Sequence, residues 1–161
     1  MERISKHNYY LDIAQTVSER STCLRKRYGA IIVKNDVIIS TGYNGAPRGR
    51  KNCTDIGRCI REELGIPSGE RYELCRSVHS EANAIIAAAR ENMLGASLYM
   101  SCTSPIDGSI IAGTNSCMMC KRMIINAGIA KVYIRDTKDV FRVISTEDWI
   151  ENDDSLVGMH N

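Results

Sequence analysis

The sequence carries little net charge and has no long hydrophobic run. Its 21 Lys and Arg nearly balance its 19 Asp and Glu, which leaves a formal charge of +2, so no strongly basic surface for duplex DNA or RNA is implied. No apolar run approaches the length of a membrane span, and the first ten residues lack the charged, apolar and cleavage regions of a signal peptide. Repeats, linkers and low-complexity segments are also absent. These absences predict one domain over residues 1–161, a cytoplasmic location, no membrane association and no stable nucleic-acid partner.

Cysteine, in contrast, is abundant, with seven in the chain. In a cytoplasmic protein, cysteines indicate metal binding or catalysis before disulfides. Two of them, Cys117 and Cys120, form a Cys-x-x-Cys pair at the start of an apolar periodic run, SCMMCKRMIINAG. Taken alone, such a pair is also compatible with a redox pair or with half of a structural zinc site.

A second motif, VHSEANAIIAAAR, places His79 and Glu81 at the start of another predicted helix. A single histidine at a helix start is more often a cap or a packed residue. Together, however, the two motifs supply one imidazole, two thiolates and one carboxylate, the composition of a catalytic zinc with three protein ligands. We therefore expect His79, Cys117 and Cys120 to bind zinc and Glu81 to carry a proton between water and substrate.

Hydrophobic periodicity predicts a helix, a hairpin, and then helices and strands in alternation. The predicted helices cover residues 4–20, 78–91 and 117–127, with a last one from Ser145 or Thr146 whose inner face carries Trp149 and Ile150. The predicted strands cover 30–33, 37–41, 97–102, 131–135 and 140–144. Alternation in the second half predicts parallel strand pairing there. The expected fold is α/β, with a mixed five-stranded sheet flanked by helices, and residues 153–161 are expected to form a loose tail.

Residues 42–76 form a long segment that is rich in glycine and poor in periodicity, with a short helix expected near 59–64. A loop of this length in a compact domain needs a function or an internal staple. We predict that the four cysteines in and before it bind a second, structural zinc: Cys23, Cys53, Cys59 and Cys75. The alternative is four reduced, half-buried cysteines.

The His-x-Glu and Cys-x-x-Cys motifs match the signature of zinc-dependent nucleobase deaminases. Over residues 5–135 the chain resembles the cytidine/deoxycytidylate deaminase superfamily, which implies a three-layer α/β/α fold. It departs from the family pattern at Ser116, where the family usually has proline, and the preceding loop, SPIDGSIIAGTN, looks longer than usual. Both features are expected to border the substrate pocket.

The segments STCLRKRYGAIIV, STGYNGAPRG, HSEANAI and MIINAGI resemble deoxycytidylate (dCMP) deaminases in particular. This resemblance implies hydrolysis of dCMP to dUMP and ammonia, with Asn44 contacting the nucleotide and the backbone around Ser80 holding the pyrimidine carbonyl. Because arginine can hold a phosphate bidentately, the candidates for the phosphate are Arg25 and Arg27, with Arg48, Arg50 and Lys51 as alternatives. The other interpretation makes each arginine a solvated surface residue and Asn44 a turn residue.

The same resemblance implies activation by dCTP and inhibition by dTTP, with Mg²⁺ on the triphosphate. It also implies a homohexamer and an effector loop that includes Gly42, Tyr43, Asn44 and Gly45. Two other functions stay open: deamination of another cytosine or adenine nucleoside or base, and a non-catalytic binding module stapled by zinc. The module is disfavoured because a structural zinc site has no use for Glu81.

Overall fold

A computed structural model describes residues 2–156 of the chain. The helices of this part are α1 (Lys6–Ser18), α2 (Cys53–Ile56), α3 (Ile60–Glu63), α4 (Ser80–Ile86), α5 (Arg90–Met93), α6 (Met118–Asn126) and α7 (Thr146–Glu151). The strands are β1 (Arg27–Lys34), β2 (Val37–Tyr43), β3 (Ser97–Thr103), β4 (Lys131–Arg135) and β5 (Phe141–Ser145). No helix within the described range is long and apolar enough to cross a membrane.

Within residues 2–156 the strands form one five-stranded sheet in the order β2-β1-β3-β4-β5. The pair β3 and β4 is parallel and the other neighbouring pairs are antiparallel. The hairpin between β1 and β2 turns at Asn35 and Asp36, both with positive φ, which are residue types that tolerate the left-handed region. The predicted mixed sheet is therefore confirmed, with its parallel pair in the second half.

Helix α1 covers one face of the sheet. It begins after Ser5, whose hydroxyl accepts a hydrogen bond from the Asn8 amide at 3.2 Å and so satisfies one of the free amides of the first turn. Its apolar stripe, which includes Tyr10 and Ala14, packs on β1, β3 and β4 residues such as Tyr99. This stripe follows the spacing that the sequence predicted.

Helices α4 and α6 cover the opposite face, where the larger core lies. Ala84 of α4 and Ile124 of α6 are fully buried against strand residues such as Leu98 and Met100. Helix α6 ends at Asn126 with Ala127 as its C-cap. Gly128 follows with φ +79°, as expected for a left-handed C′ residue. The expected three-layer α/β/α architecture is confirmed.

Three local features differ from expectation. The predicted helix over 78–91 is divided into α4 and α5 by a non-helical break at residues 87–89. Nothing in this alanine-rich stretch disfavours helix locally, and the break lets Met93 pack into the core. In α7 the side chain of Trp149 packs on the core as predicted, whereas Ile150 is exposed. Of the expected tail, residues 157–161 lie outside the described residues, and Asp154 pairs with Lys121 at 2.6 Å.

Candidate active site

The first residues of α4 and α6 bring the two sequence motifs together. His79 is the N-cap of α4 and Cys117 is the N-cap of α6, both with extended backbone conformation. Cys120 follows in the first turn of α6 and is buried. Because both helices pack on the same face of the sheet, their N-terminal ends meet and place one imidazole beside two thiols.

These three side chains fit a zinc ion. The Nδ1 atom of His79 lies 3.4 Å from the Sγ of Cys117 and 3.4 Å from the Sγ of Cys120, and all donor atoms lie within 4.8 Å of one another. With Zn–S near 2.3 Å and Zn–N near 2.0–2.1 Å, a tetrahedral site needs nitrogen and sulfur about 3.5 Å apart. The donor set and its spacing therefore match a three-ligand zinc site.

The electrostatics of the three side chains also favour a cation. Hydrogen bonding with Cys120 and His79 lowers the pKa of the Cys117 thiol to about 4 despite its burial. The same interaction with Cys117, together with burial, raises the pKa of Cys120. Contacts with Cys117 and then Cys75 raise the pKa of His79 to about 10. Without a metal, the Cys117 thiolate is therefore neutralised by the protonated His79, and zinc would bind by displacing the protons of His79 and Cys120.

Glu81 lies beside this group in the first turn of α4. It is only 4% exposed, and the buried hydroxyl of Ser80 donates a hydrogen bond to its Oε1 at 2.8 Å. Both residues line a cavity whose wall also includes His79 and Cys117. A buried carboxylate that faces a cavity next to a metal-type donor set is suited to proton transfer.

The cavity contains some of the predicted substrate residues and leaves others outside. Its wall includes Arg25, Asn44 and Ser80, but Arg27 and the alternative phosphate ligands Arg48, Arg50 and Lys51 are not part of it. Arg25 also pairs with Glu62 at 3.0 Å. Their roles toward a phosphate stay predictions.

The side chain of Asn44 is buried and forms hydrogen bonds with three neighbouring residues. Its Oδ1 accepts hydrogen bonds from the Ser21 hydroxyl at 2.5 Å and from the Tyr28 amide at 2.8 Å. Its Nδ2 donates to the Lys26 carbonyl at 3.0 Å. Asn44 therefore shapes the wall by fixing the segment before β1, and one Nδ2 hydrogen is left over for a ligand.

The segment Gly42–Gly45 is fixed to the start of α4. A Cβ atom on Gly42 would lie 2.4 Å from the carbonyl oxygen of Ser80 and 2.4 Å from the amide nitrogen of Ala84. Gly45 exchanges two backbone hydrogen bonds with Val78, at 3.1 and 2.7 Å. Glycine at position 42 thus allows β2 to approach the helix that carries His79 and Glu81.

The four cysteines predicted to hold a second zinc do not gather in the same way. Among residues 2–156, His79, Cys117 and Cys120 are the only group of three or more His, Cys, Asp or Glu side chains spaced for one metal ion. Cys23, Cys59 and Cys75 share the cavity wall, and Cys75 contacts His79. Cys53 instead lies 3.5 Å from Nη1 of Arg76. The second zinc stays a prediction.

Sequence reasoning missed several residues of the cavity wall, above all Arg61 and Tyr72. The ring of Tyr72 packs edge-on against the His79 imidazole, with centroids 5.2 Å apart. Arg61 lies in the short helix expected near 59–64, which α3 confirms, but nothing in the long segment of 42–76 indicated that Arg61 or Tyr72 would face the cavity. The glycine-rich loop itself, which indicated a functional segment, was the one available signal.

Comparison with known proteins agrees with this geometry. Residues 4–135 match the family described as the cytidine and deoxycytidylate deaminase zinc-binding region. The deoxycytidylate deaminase of Mycobacterium phage D29 is 34% identical over 136 residues, which cover 82% of this chain and 95% of the phage protein. The deoxycytidylate deaminase of Schizosaccharomyces pombe is 32% identical over 130 residues, and the match covers 81% of this chain but 37% of that protein.

Among solved structures, the apo dCMP deaminase from cyanophage S-TIM5 is 30% identical with a TM-score of 0.57, covering 86% of this chain and 88% of that one. The matched family region includes His79, Glu81, Cys117 and Cys120. The resemblance found in the sequence is thereby confirmed, and the chain belongs to the cytidine and deoxycytidylate deaminase family.

Proposed function

We propose that this protein hydrolyses dCMP to dUMP and ammonia. The observation that carries the proposal is the buried Glu81 in one cavity wall with His79 and Cys117, since a purely structural metal site has no use for this carboxylate. Its relatives named deoxycytidylate deaminase support the substrate. Further support comes from the cyanophage S-TIM5 dCMP deaminase, solved in complex with dCMP and dUMP, at 28% identity and a TM-score of 0.55.

The zinc would be held by His79, Cys117 and Cys120. When bound, it supplies a Lewis acid that lowers the pKa of water toward neutrality. The two helix N-termini orient the three ligands, and the Tyr72 ring packs against the imidazole.

Glu81 moves the protons of the reaction. Its Oε1 accepts the Ser80 hydrogen bond, and its carboxylate also interacts with the Cys120 side chain, which keeps it beside the three zinc ligands. The carboxylate takes a proton from water and delivers it to N3 of cytosine while the water oxygen bonds to C4. It then transfers the second proton to the amino group, and the C4–N bond breaks to release ammonia. Backbone amides near Ser80 and Glu81 are expected to hold the pyrimidine carbonyl.

Several finer properties belong to the same proposal. We propose a second, structural zinc on Cys23, Cys53, Cys59 and Cys75, supported by their being free cysteines, three of them in one cavity wall. Of the two arginines that the sequence suggested for the substrate phosphate, Arg25 and Arg27, only Arg25 lines the cavity. Regulation by dCTP and dTTP with Mg²⁺ at residues 42–45 and a homohexamer rest on the family resemblance. A cytoplasmic location agrees with relatives named deoxycytidylate deaminase, an activity of nucleotide metabolism.

Ammonia release from dCMP by the zinc-loaded protein tests the proposed function. We expect turnover by the wild type and almost none by Glu81→Gln with the same zinc content. Addition of dCTP and Mg²⁺ should raise the rate, and the absence of any increase would remove the regulation while keeping the enzyme. No turnover of dCMP by a folded, zinc-loaded wild type would contradict the proposal. Cytidine, deoxycytidine and adenosine would then be assayed as substrates. A protein inactive toward all of them would favour the non-catalytic binding module.

A further inference from the structure

Arg61 of α3 is a buried cation without a carboxylate partner. It is 5% exposed, and no ion pair of Arg61 is found among residues 2–156. The two glutamates that follow it in α3 are engaged elsewhere, because Glu62 pairs with Arg25 at 3.0 Å and Glu63 pairs with Arg58 at 3.4 Å. A buried charge is costly unless an opposite charge compensates it.

The hydrogen bonds of the guanidinium leave part of it available. Its Nη2 donates to the carbonyls of Pro67 at 3.0 Å and Glu70 at 2.7 Å. Its Nε is buried and has no partner in the described part of the chain. A buried N–H without an acceptor is destabilising, so an anion that accepts from Arg61 would remove a penalty as well as form a charge-assisted bond.

Arg61 is connected through Tyr72 to the end of the cavity at which His79 lies. Its guanidinium carbon lies 4.2 Å from the centroid of the Tyr72 ring, and the Tyr72 ring also contacts His79, with ring centroids 5.2 Å apart. All three residues line the same cavity. A ligand with its base near Glu81 can therefore direct a group on its sugar toward Arg61.

We propose that Arg61 determines specificity by binding the 5′-phosphate of the nucleotide. This inference rests on the proposed dCMP substrate. A phosphate monoester carries nearly two negative charges at neutral pH, and the planar guanidinium presents donors in a fixed geometry that suits its oxygens. Arg25 lies in the same wall but already has Glu62 as its counter-ion, whereas Arg61 has no counter-ion among residues 2–156 and would gain one in the phosphate.

Binding of dUMP and of deoxyuridine, which differ only in the phosphate, tests this role without requiring turnover. Titration calorimetry on the zinc-loaded protein should show that Arg61→Gln weakens dUMP binding about 100-fold and changes deoxyuridine binding by less than about twofold. The control is Arg58→Gln, since Arg58 precedes α3, is exposed, and already pairs with Glu63 of that helix. It should preserve the affinity for both ligands.

In the enzyme assay, Arg61→Gln should raise KM for dCMP and leave the rate with deoxycytidine unchanged. Equal losses for the ligands with and without phosphate would assign Arg61 a structural role in the loop and overturn the proposal. If Arg61→Gln does not fold, Arg61→Lys is the alternative variant, because it keeps the charge but loses the planar donors of the guanidinium. A ratio of dUMP affinity to deoxyuridine affinity that is unchanged in Arg61→Lys would also overturn the proposal. A wild type that does not prefer dUMP over deoxyuridine would remove the proposed function itself, together with this role.

Discussion

The hydroxyl of Ser80 donates a 2.8 Å hydrogen bond to Oε1 of Glu81, and both side chains are buried. One carboxylate oxygen is thereby held in place, so the Ser80 hydroxyl helps to orient the proton carrier. Glu81→Gln should lower kcat about 10²–10⁴-fold, the usual contribution of a general acid–base. Zinc content and thermal stability should remain those of the wild type.

Ser80→Ala separates orientation from proton transfer. Without the hydroxyl, Glu81 loses a buried hydrogen bond worth about 1.4 kcal/mol, so kcat should fall about tenfold, well short of the effect of Glu81→Gln. Parallel measurement of kcat for both variants checks this order. A Ser80→Ala enzyme as inactive as Glu81→Gln would show that the hydroxyl has a direct role in the reaction.

Metal analysis after removal of loosely bound ions should find two zinc ions per chain, one at each predicted site. Cys120→Ser should lose one zinc and all activity, because Cys120 belongs to the group with His79 and Cys117. Cys59→Ser should lose the other zinc and lower the melting temperature. A single zinc in the wild type would eliminate the structural site and leave the active-site prediction intact.

Gly42→Ala should disturb the start of α4. The added methyl group would lie 2.4 Å from backbone atoms of Ser80 and Ala84, and relief requires β2 or the helix to move. We expect a loss of stability of about 2 kcal/mol and weaker zinc binding, as His79 shifts with the helix. Thr41→Ala is the matched control, because Thr41 is exposed on the same strand; an equally small effect of both changes would exclude this packing constraint.

Arg142 and Asp136 hold the loop that precedes Cys117. Nε and Nη2 of Arg142 lie 2.7 and 3.0 Å from the two carboxylate oxygens, and Asp136 also accepts from the Gly113 amide at 2.8 Å. The hydrogen bond and charge of Arg142 lower the pKa of Asp136. Because the folded pKa is lower than the unfolded one, near 3.9, the stabilisation is present above pH about 4 and is lost as the pH falls through the folded value.

Arg142→Met should therefore lower the melting temperature more at pH 7 than near pH 2, because the stabilisation diminishes as the pH falls and the Asp136 carboxyl takes up a proton. Thermal melts across this range measure the difference. Arg122→Met removes an exposed arginine from α6 and should leave the melting temperature nearly unchanged at both values. A difference between wild type and Arg142→Met that does not depend on pH would show that packing of the arginine stem matters more than its charge.

The sequence was sufficient to predict the helices and strands in which hydrophobic residues recur at regular spacing, together with the functional residues at their ends. The two helix starts that carry His79 and Cys117 were recognisable, and the sheet order then brings them together. Arg61 and Tyr72 could not be found in this way, because they lie in a glycine-rich segment where contacts across the cavity, instead of local propensity, decide the conformation. The break after Ile86 was missed for the related reason that tertiary packing overrides the helix preference of alanine.

Asn44 precedes Gly45, and an Asn-Gly pair in a flexible peptide is prone to deamidation, in which the glycine nitrogen attacks the asparagine side-chain carbonyl. Here that nitrogen donates to the Val78 carbonyl, and the side-chain carbonyl is held by Ser21 and Tyr28. The folded chain therefore protects Asn44 against conversion to aspartate, which would place an acceptor against the Lys26 carbonyl. The rate of Asn44 deamidation should therefore be set by the fraction of time that this segment is unfolded.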